Sequence, residues 1–369
     1  MTEPRNGAGP GAARGASAAR PGHAVIVIGA SAGGVEALRT VLGGLPADLP
    51  AAVLVVLHVS PRSPSVLARI LGRRCALAVE QARDGEPVVA GRVYVAPPDL
   101  HLLAHDGRVR LLSGPRENGV RPAVDPLFRS AAGAYGHRVI GLVLSGTLDD
   151  GTLGLARIKA QGGQAVVQDP EDALFDGMPR SAMRRVAVDH VAPLAELPAL
   201  LDRLARDVAS TEDPTPMTDE LESERDLEEI DGGARRNEAM GGRLSGLTCP
   251  ECHGALWAMD DVGGAVHYRC RVGHAYAEES LDEAKAVSIE AALWTALTAL
   301  EEQAALTWRM ARRAATDGHV ARQRRYEGRA RLFEARARVI GTVLREPEPA
   351  GGGAGADAGG LPHADTGAP

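Results

Sequence analysis

Three features of the 369-residue sequence predict an α/β fold built on a doubly wound, mostly parallel sheet. Continuous apolar runs of strand length recur (AVIVIG, AVLVVLHV, VIGLVLSG, QAVVQD), and stretches with helical spacing separate them. The runs do not alternate with polar residues, so both strand faces are covered, as in parallel sheets flanked by helices. Glycines punctuate the strand-to-helix turns. The first strand, AVIVIG, leads into VEALRTVLGGL, a helix with Val35, Leu38, Val41 and Leu42 on one face. AVLVVLHV is the second buried strand, and PSVLARILG a helix opened by Pro64. The segment ARDGEPVVAGRVYVAPPDLHLLAHDGRVRLL, with its Asp-Gly turns, predicts a β-hairpin insertion. VIGLVLSG is a further strand, GTLGLARIKAQGG a helix closed by glycines, and QAVVQD another strand.

Composition divides the chain. Residues 1–22 carry Arg and small residues without an apolar core, so they read as a disordered tail and not as a secretory signal. Residues 23–208 form the α/β domain. An acidic linker, 209–245, precedes a cysteine-containing, zinc-ribbon-like module at 246–276. Ala/Leu/Arg/Glu-rich residues 277–346, broken at Thr316-Asp317-Gly318, predict a helical hairpin. The Gly/Ala/Pro-rich end, 347–369, reads as a second disordered tail. A formal net charge of −7 argues against nucleic-acid binding. Apolar runs such as Val139–Leu144 are too short to span a membrane. Three of the four cysteines cluster, which suits a metal site and a reducing cytoplasm better than a disulfide framework.

The stretch GASAGG behind the first strand admits two readings. It fits the G-x-S-x-G elbow, which exposes Ser31 for attack, or a glycine turn that cradles a phosphate. In doubly wound sheets, reactive groups gather beyond the carboxyl ends of the strands. There the first strand delivers Ser31, the second His58, and VIGLVL the pair Asp149 and Asp150. A serine needs an imidazole to take its proton, and the imidazole needs a carboxylate to orient it. The helix start after Ser31 would add N–H groups for an oxyanion. A dinucleotide site instead expects an acidic residue about 20 positions past the glycines. The second strand ends in His58, so nucleotide binding ranks behind acyl transfer. The elbow's place after the first strand, and the order serine, histidine, aspartate, also differ from an α/β-hydrolase.

These blocks resemble the catalytic domain of CheB-type chemotaxis protein-glutamate methylesterases over about Val25–Leu204. IGASAGGVEAL resembles the nucleophile block and LHVSPRSPSVLARIL the histidine block. DGEPVVAGRVYVAPPDLHL resembles the hairpin insertion and RPAVDPLF a following signature. SGTLDDGTLGL resembles the aspartate block and FDGMPRSAM the last. The resemblance implies Ser31 as nucleophile, His58 as general base and Asp150, which directly precedes a glycine, as the orienting acid. It implies hydrolysis of glutamate methyl esters on a methyl-accepting chemoreceptor or related signalling receptor, releasing methanol. Glutamine deamidation is a related activity, no catalytic cofactor is required, and a companion receptor methyltransferase is expected. The chain departs from the family at Ala32, where a threonine is usual, and at Thr147-Leu148, where Met-Gly is usual. No receiver domain precedes the first strand, which argues against control by aspartyl phosphorylation within this chain.

Cys249-x-x-Cys252 and Cys270-x-x-x-His274 supply three thiolates and an imidazole, a closed tetrahedral set for structural zinc. His253 and His267 are alternatives for the fourth ligand. Cys75 reads as a small core residue. In the helical region Leu293, Trp294, Leu297, Leu300, Leu306 and Trp308 predict packing within a hairpin, or a docking surface. Arg322, Arg324, Arg325, Arg329 and Arg331 give the second helix a basic character. An adaptor that keeps the fold and binds through these modules is the alternative to an esterase.

Overall fold

The computed structural model describes residues 23–62, 66–211 and 242–345. The tails at 1–22 and 347–369, most of the linker at 209–245, and Pro64 lie outside the described residues. Two compact units are present, one reaching to Ala284 and the other starting at Lys285.

The first unit centres on a seven-stranded sheet of order β3-β4-β2-β1-β7-β8-β9. Its strands are β1 (Ala24–Ala30), β2 (Ala51–Leu57), β3 (Ala78–Gln81), β4 (Arg92–Val95), β7 (Val139–Val143), β8 (Gln164–Gln168) and β9 (His190–Ala192). Every pairing is parallel. The unbroken apolar runs follow from two-sided burial. Ile26, Ile28, Val53 and Val55 face one apolar cluster, and Val25, Val27, Leu54 and Val56 face the other. Helices α1 (Gly34–Gly43) and α6 (Leu197–Ala209) cover the first face, with the short α2 (Leu67–Leu71) beside them. The second face is covered by α3 (Val124–Tyr135), α4 (Thr152–Ala160), α5 (Gly177–Arg185) and a hairpin of β5 (His101–His105) and β6 (Arg108–Leu112).

Only part of the expected insertion is a hairpin. RVYV, read from sequence as one of its short strands, is β4 of the main sheet and pairs in parallel with β2. An Asp-Gly turn joins antiparallel strands at Asp106-Gly107, but the one at Asp84-Gly85 does not.

Also within the first unit, β10 (Arg243–Thr248), β11 (Ala255–Asp260), β12 (Val266–Cys270) and β13 (Ala275–Tyr276) form a small antiparallel sheet. Its apolar cluster is tiny: Cys249, Leu256, Cys270, Tyr276 and Leu281. Helix α7 (Glu278–Thr316) follows.

In the second unit, α7 and α8 (Val320–Val343) meet through small residues. Ala304, Thr307, Ala311 and Ala314 are buried at 3-4-3 spacing, and Ala330 and Ala337 are buried seven apart on α8. Trp308 donates through Nε1 to Glu334 at 2.7 Å. Of the larger residues singled out from sequence, Leu293, Leu297, Leu300 and Trp308 are half-buried, whereas Trp294 is 51% and Leu306 44% exposed. Small residues thus hold the fully buried positions, with Trp294 and Leu306 outside them.

Candidate active site and candidate metal centre

Chain order places the switch point of the sheet at β1, which has β2 on one side and β7 on the other. Loops leaving these three strands diverge to opposite faces and open a crevice at their carboxyl ends. Ser31 follows β1, His58 follows β2, and Asp150 follows β7. The crevice brings all three together. His58 Nδ1 lies 3.1 Å from Ser31 Oγ, and His58 Nε2 lies 2.7 Å from Asp150 Oδ2. The carboxylate fixes Nε2 as the protonated nitrogen and leaves the Nδ1 lone pair for the serine proton.

The Ser31 turn is tightly held. Its N–H donates to the Ser145 carbonyl at 3.0 Å, and the Ser145 hydroxyl donates to the Ala32 carbonyl at 2.8 Å. Gly33, at φ 73, adopts the left-handed conformation that caps α1. Gly146 has no room for a side chain: a Cβ there would strike Met178 and come within 2.9 Å of Ser31 Cβ. Leu174 lies against Gly33 and is 74% exposed, with Phe175 also exposed beside it.

Asp150 is buried yet fully satisfied. Oδ2 accepts from His58 and from Val124 N–H at 2.7 Å. Oδ1 accepts from Asp125 N–H at 3.1 Å and from Asn118 Nδ2 at 2.9 Å. The carboxylate therefore sits on the N-terminus of α3, where free amides and the helix dipole favour negative charge. Burial alone would raise its pKa, but the His58 hydrogen bond and charge, with Val124 and Asn118, hold it well below the ordinary value. Asp125 goes the other way, pushed well above its usual range by burial and by the neighbouring Asp150.

Asp149, the other candidate from the same turn, faces away from the imidazole. Its oxygens accept from the N–H groups of Glu279 at 3.0 Å and Ser280 at 3.2 Å, and from the Ser280 hydroxyl. It caps the first turn of α7 from 130 residues away. Burial raises its pKa against these hydrogen bonds.

Sequence reading did not single out Asn118, Asp125 or Glu117. The quoted signature RPAVDPLF contained Asp125, but its partners Asn118 and the Gly154 N–H are set only by the fold. Glu117 is buried, a condition that by itself raises a carboxyl. The Arg129 guanidinium, paired with both oxygens at 2.8 and 3.0 Å, nevertheless holds it below its usual range. His101 supports the same loop, with Nε2 2.9 Å from the Pro115 carbonyl; burial lowers its pKa.

A second cluster lies at the small sheet. Ligand-capable atoms of Cys249, Cys252, Cys270 and His274 all lie within 4.8 Å of one another. Cys252 and Cys270 sulfurs are 3.5 Å apart, and His274 Nδ1 is 3.6 Å from Cys249 Sγ and 3.5 Å from Cys270 Sγ. Tetrahedral zinc with ordinary bond lengths requires edges of about 3.6–3.8 Å, so the residues fit that ion. His274 Nε2 lies 3.3 Å from Glu251, which in turn accepts from Tyr276 OH at 2.8 Å. Such a partner turns Nδ1 toward a metal. Neither His253 nor His267 joins the cluster, and His267 faces Asp261. Burial raises Cys249 and pushes Cys270 up to about 12. Cys75 is half-buried and stands apart.

Among the described residues, no helix is long and apolar enough to cross a membrane. A family model described as CheB methylesterase matches residues 26–201. A Leptospira interrogans protein is 41% identical over 183 residues, spanning 49% of this chain and 95% of the relative. An Anaeromyxobacter dehalogenans protein named protein-glutamate methylesterase/protein-glutamine glutaminase 2 is 44% identical over 182 residues, 49% of this chain and 53% of the relative. The crystal structure of the Thermotoga maritima CheB methylesterase catalytic domain aligns at 37% identity with a TM-score of 0.48, covering 49% of this chain and 98% of that one.

Proposed function

Since this chain belongs to the CheB methylesterase family, we propose that it hydrolyses glutamate methyl esters on a methyl-accepting chemoreceptor or a related signalling receptor. The observation that carries the reading is the continuous relay Ser31–His58–Asp150, at 3.1 and 2.7 Å. Ser31 Oγ attacks the ester carbonyl carbon while His58 Nδ1 takes its proton. Asp150 stabilises the resulting imidazolium through Nε2–H. The N-terminal end of α1, just after Ser31, would favour the negative charge of the oxyanion. The tetrahedral intermediate collapses, and His58 returns the proton to the leaving oxygen as methanol departs. Water then gives a proton to His58 and attacks the acyl-serine, releasing the glutamate carboxylate and restoring Ser31. A glutamine side chain follows the same course with ammonia as leaving group. Exposed Leu174 and Phe175 offer an apolar rim for a receptor helix.

No catalytic cofactor enters this scheme. Cys249, Cys252, Cys270 and His274 would hold a structural zinc, closing a module whose apolar cluster is too small to hold itself. Free thiols suit the reducing cytoplasm, where a receptor methyltransferase would make the ester that this enzyme removes.

Methanol release from methylated receptor tests the reading. Wild-type protein should release methanol, and Ser31→Ala should lower the rate by about a thousandfold or more while leaving thermal stability intact. No methanol from wild type would favour the binding-adaptor alternative.

A further inference from the structure

Asp149 and Asp150 are adjacent and point to different partners. Asp150 orients His58, whereas Asp149 caps α7 immediately behind the Cys/His module. A second link runs through Asn118. Its Nδ2 donates to Asp150 at 2.9 Å and to Asp125 at 3.0 Å, and its Oδ1 accepts from Ala277 N–H at 2.8 Å. Asn118 N–H donates to the Ala275 carbonyl at 2.8 Å, and Ala275 N–H donates to the Arg116 carbonyl. Ala275 directly follows the candidate ligand His274. Arg269 on β12 lies 3.7 Å from Glu117, and the backbone of Gly273 packs against Pro115 so closely that a Cβ would lie 2.7 Å from it. The loop bearing Asn118 is thus gripped along its length by the small module.

We propose that the Cys/His module is a positioning device for the triad, with Asn118 the positioning residue and metal loading of the module the control. The proposal rests on the esterase reading of Ser31, His58 and Asp150. Both donors of the Asn118 amide are committed to carboxyl groups, and its oxygen accepts from the module backbone. Asn118 sits at φ 52 on a turn, a conformation asparagine tolerates but one that does not fix its side chain. The module backbone does so. Losing the metal frees the segment after His274, releases Ala275 and Ala277 from the loop, and lets Asn118 swing off Asp150. The histidine partner is then one donor short in a buried site, where a hydrogen bond to a charged group matters most.

The test uses the full chain, zinc-loaded, and follows labelling of Ser31 by a fluorophosphonate, which reports the triad independently of any receptor. Chelation should slow labelling by about tenfold or more, with zinc release measured by a dye and the α/β domain still folded by circular dichroism. Zinc re-addition should restore the rate. Ala277→Pro removes the N–H that Asn118 accepts, and Asn118→Ala removes the amide. Each should slow labelling about tenfold with zinc content unchanged, and lower kcat for methanol release with KM unchanged. Stripped protein or Ala277→Pro that labels at the wild-type rate overturns the proposal. Should stripping unfold the whole chain, the two variants decide it. Wild type that labels but releases no methanol defeats the substrate reading and leaves the coupling standing. Wild type that fails to label in either metal state overturns both.

Discussion

The two sites in the first unit are built in opposite ways. The triad lies on the rim of a sheet whose faces are sealed by two large apolar clusters, and its three residues follow three neighbouring strands of that sheet. The Cys/His cluster sits in a sheet with a handful of buried residues, two of which are candidate ligands. In the first case the fold makes the site. In the second, the proposed zinc would make the fold. Removing chemistry from the rim should therefore cost activity with little stability, whereas removing ligands from the small sheet should cost structure.

Asp150→Asn is the sharpest attempt to break that contrast. It keeps size but turns an amide toward the His58 ring and the Val124 and Asp125 N–H groups. We expect kcat to fall by about a thousandfold or more, read by methanol release. Stability is also affected, in a pH-dependent way. Because the folded carboxyl lies below its ordinary value, its contribution is present above about pH 4 and is lost as pH falls through the folded pKa. Melting curves should show wild type and variant converging as the solution is acidified.

Metal binding comes next in size. The buried thiols are protonated when free, Cys270 with a value of about 12, so binding must displace protons. Zinc affinity should weaken on acidification by about tenfold per pH unit for each proton displaced, measured by competition with a chelating dye at pH 8 and pH 6. Cys249→Ser should lose zinc and loosen the small sheet.

Leu174→Asp probes the rim without touching the triad. With Leu174 74% exposed beside the Ser31 turn, KM for methylated receptor should rise several-fold. Fluorophosphonate labelling should be unchanged. The smallest effect is expected at Leu148, which adopts φ 63 where the resemblance places a glycine. Leu148→Gly relieves a left-handed leucine and should stabilise the domain by about 0.5 kcal/mol, measured by denaturant unfolding.

Much of this was legible in the chain. Two-sided burial writes itself as unbroken apolar runs, so β1, β2 and β7 and the residues leaving them could be read directly. The parallel direction that brings their carboxyl ends to one edge follows from the same pattern. The edge of the sheet was less legible: RVYV is short and flanked by turn residues, so only its parallel partners β2 and β3 make it a main-sheet strand. The division between Asp149 and Asp150 was invisible to side-chain chemistry, because each is specified by a partner over 90 residues away. Asn118 gave no signal at all. It works through Ala277, 159 positions later, and no local pattern encodes that distance.

Two successive carboxylates serving different masters fix the length of the turn that bears them. Inserting or deleting one residue between Val143 and Thr152 would rotate both at once, misaiming the imidazole and uncapping α7 together. The tip of the β5–β6 hairpin at Asp106-Gly107 carries no such double duty, so natural length variation in this fold should accumulate there and avoid the aspartate turn.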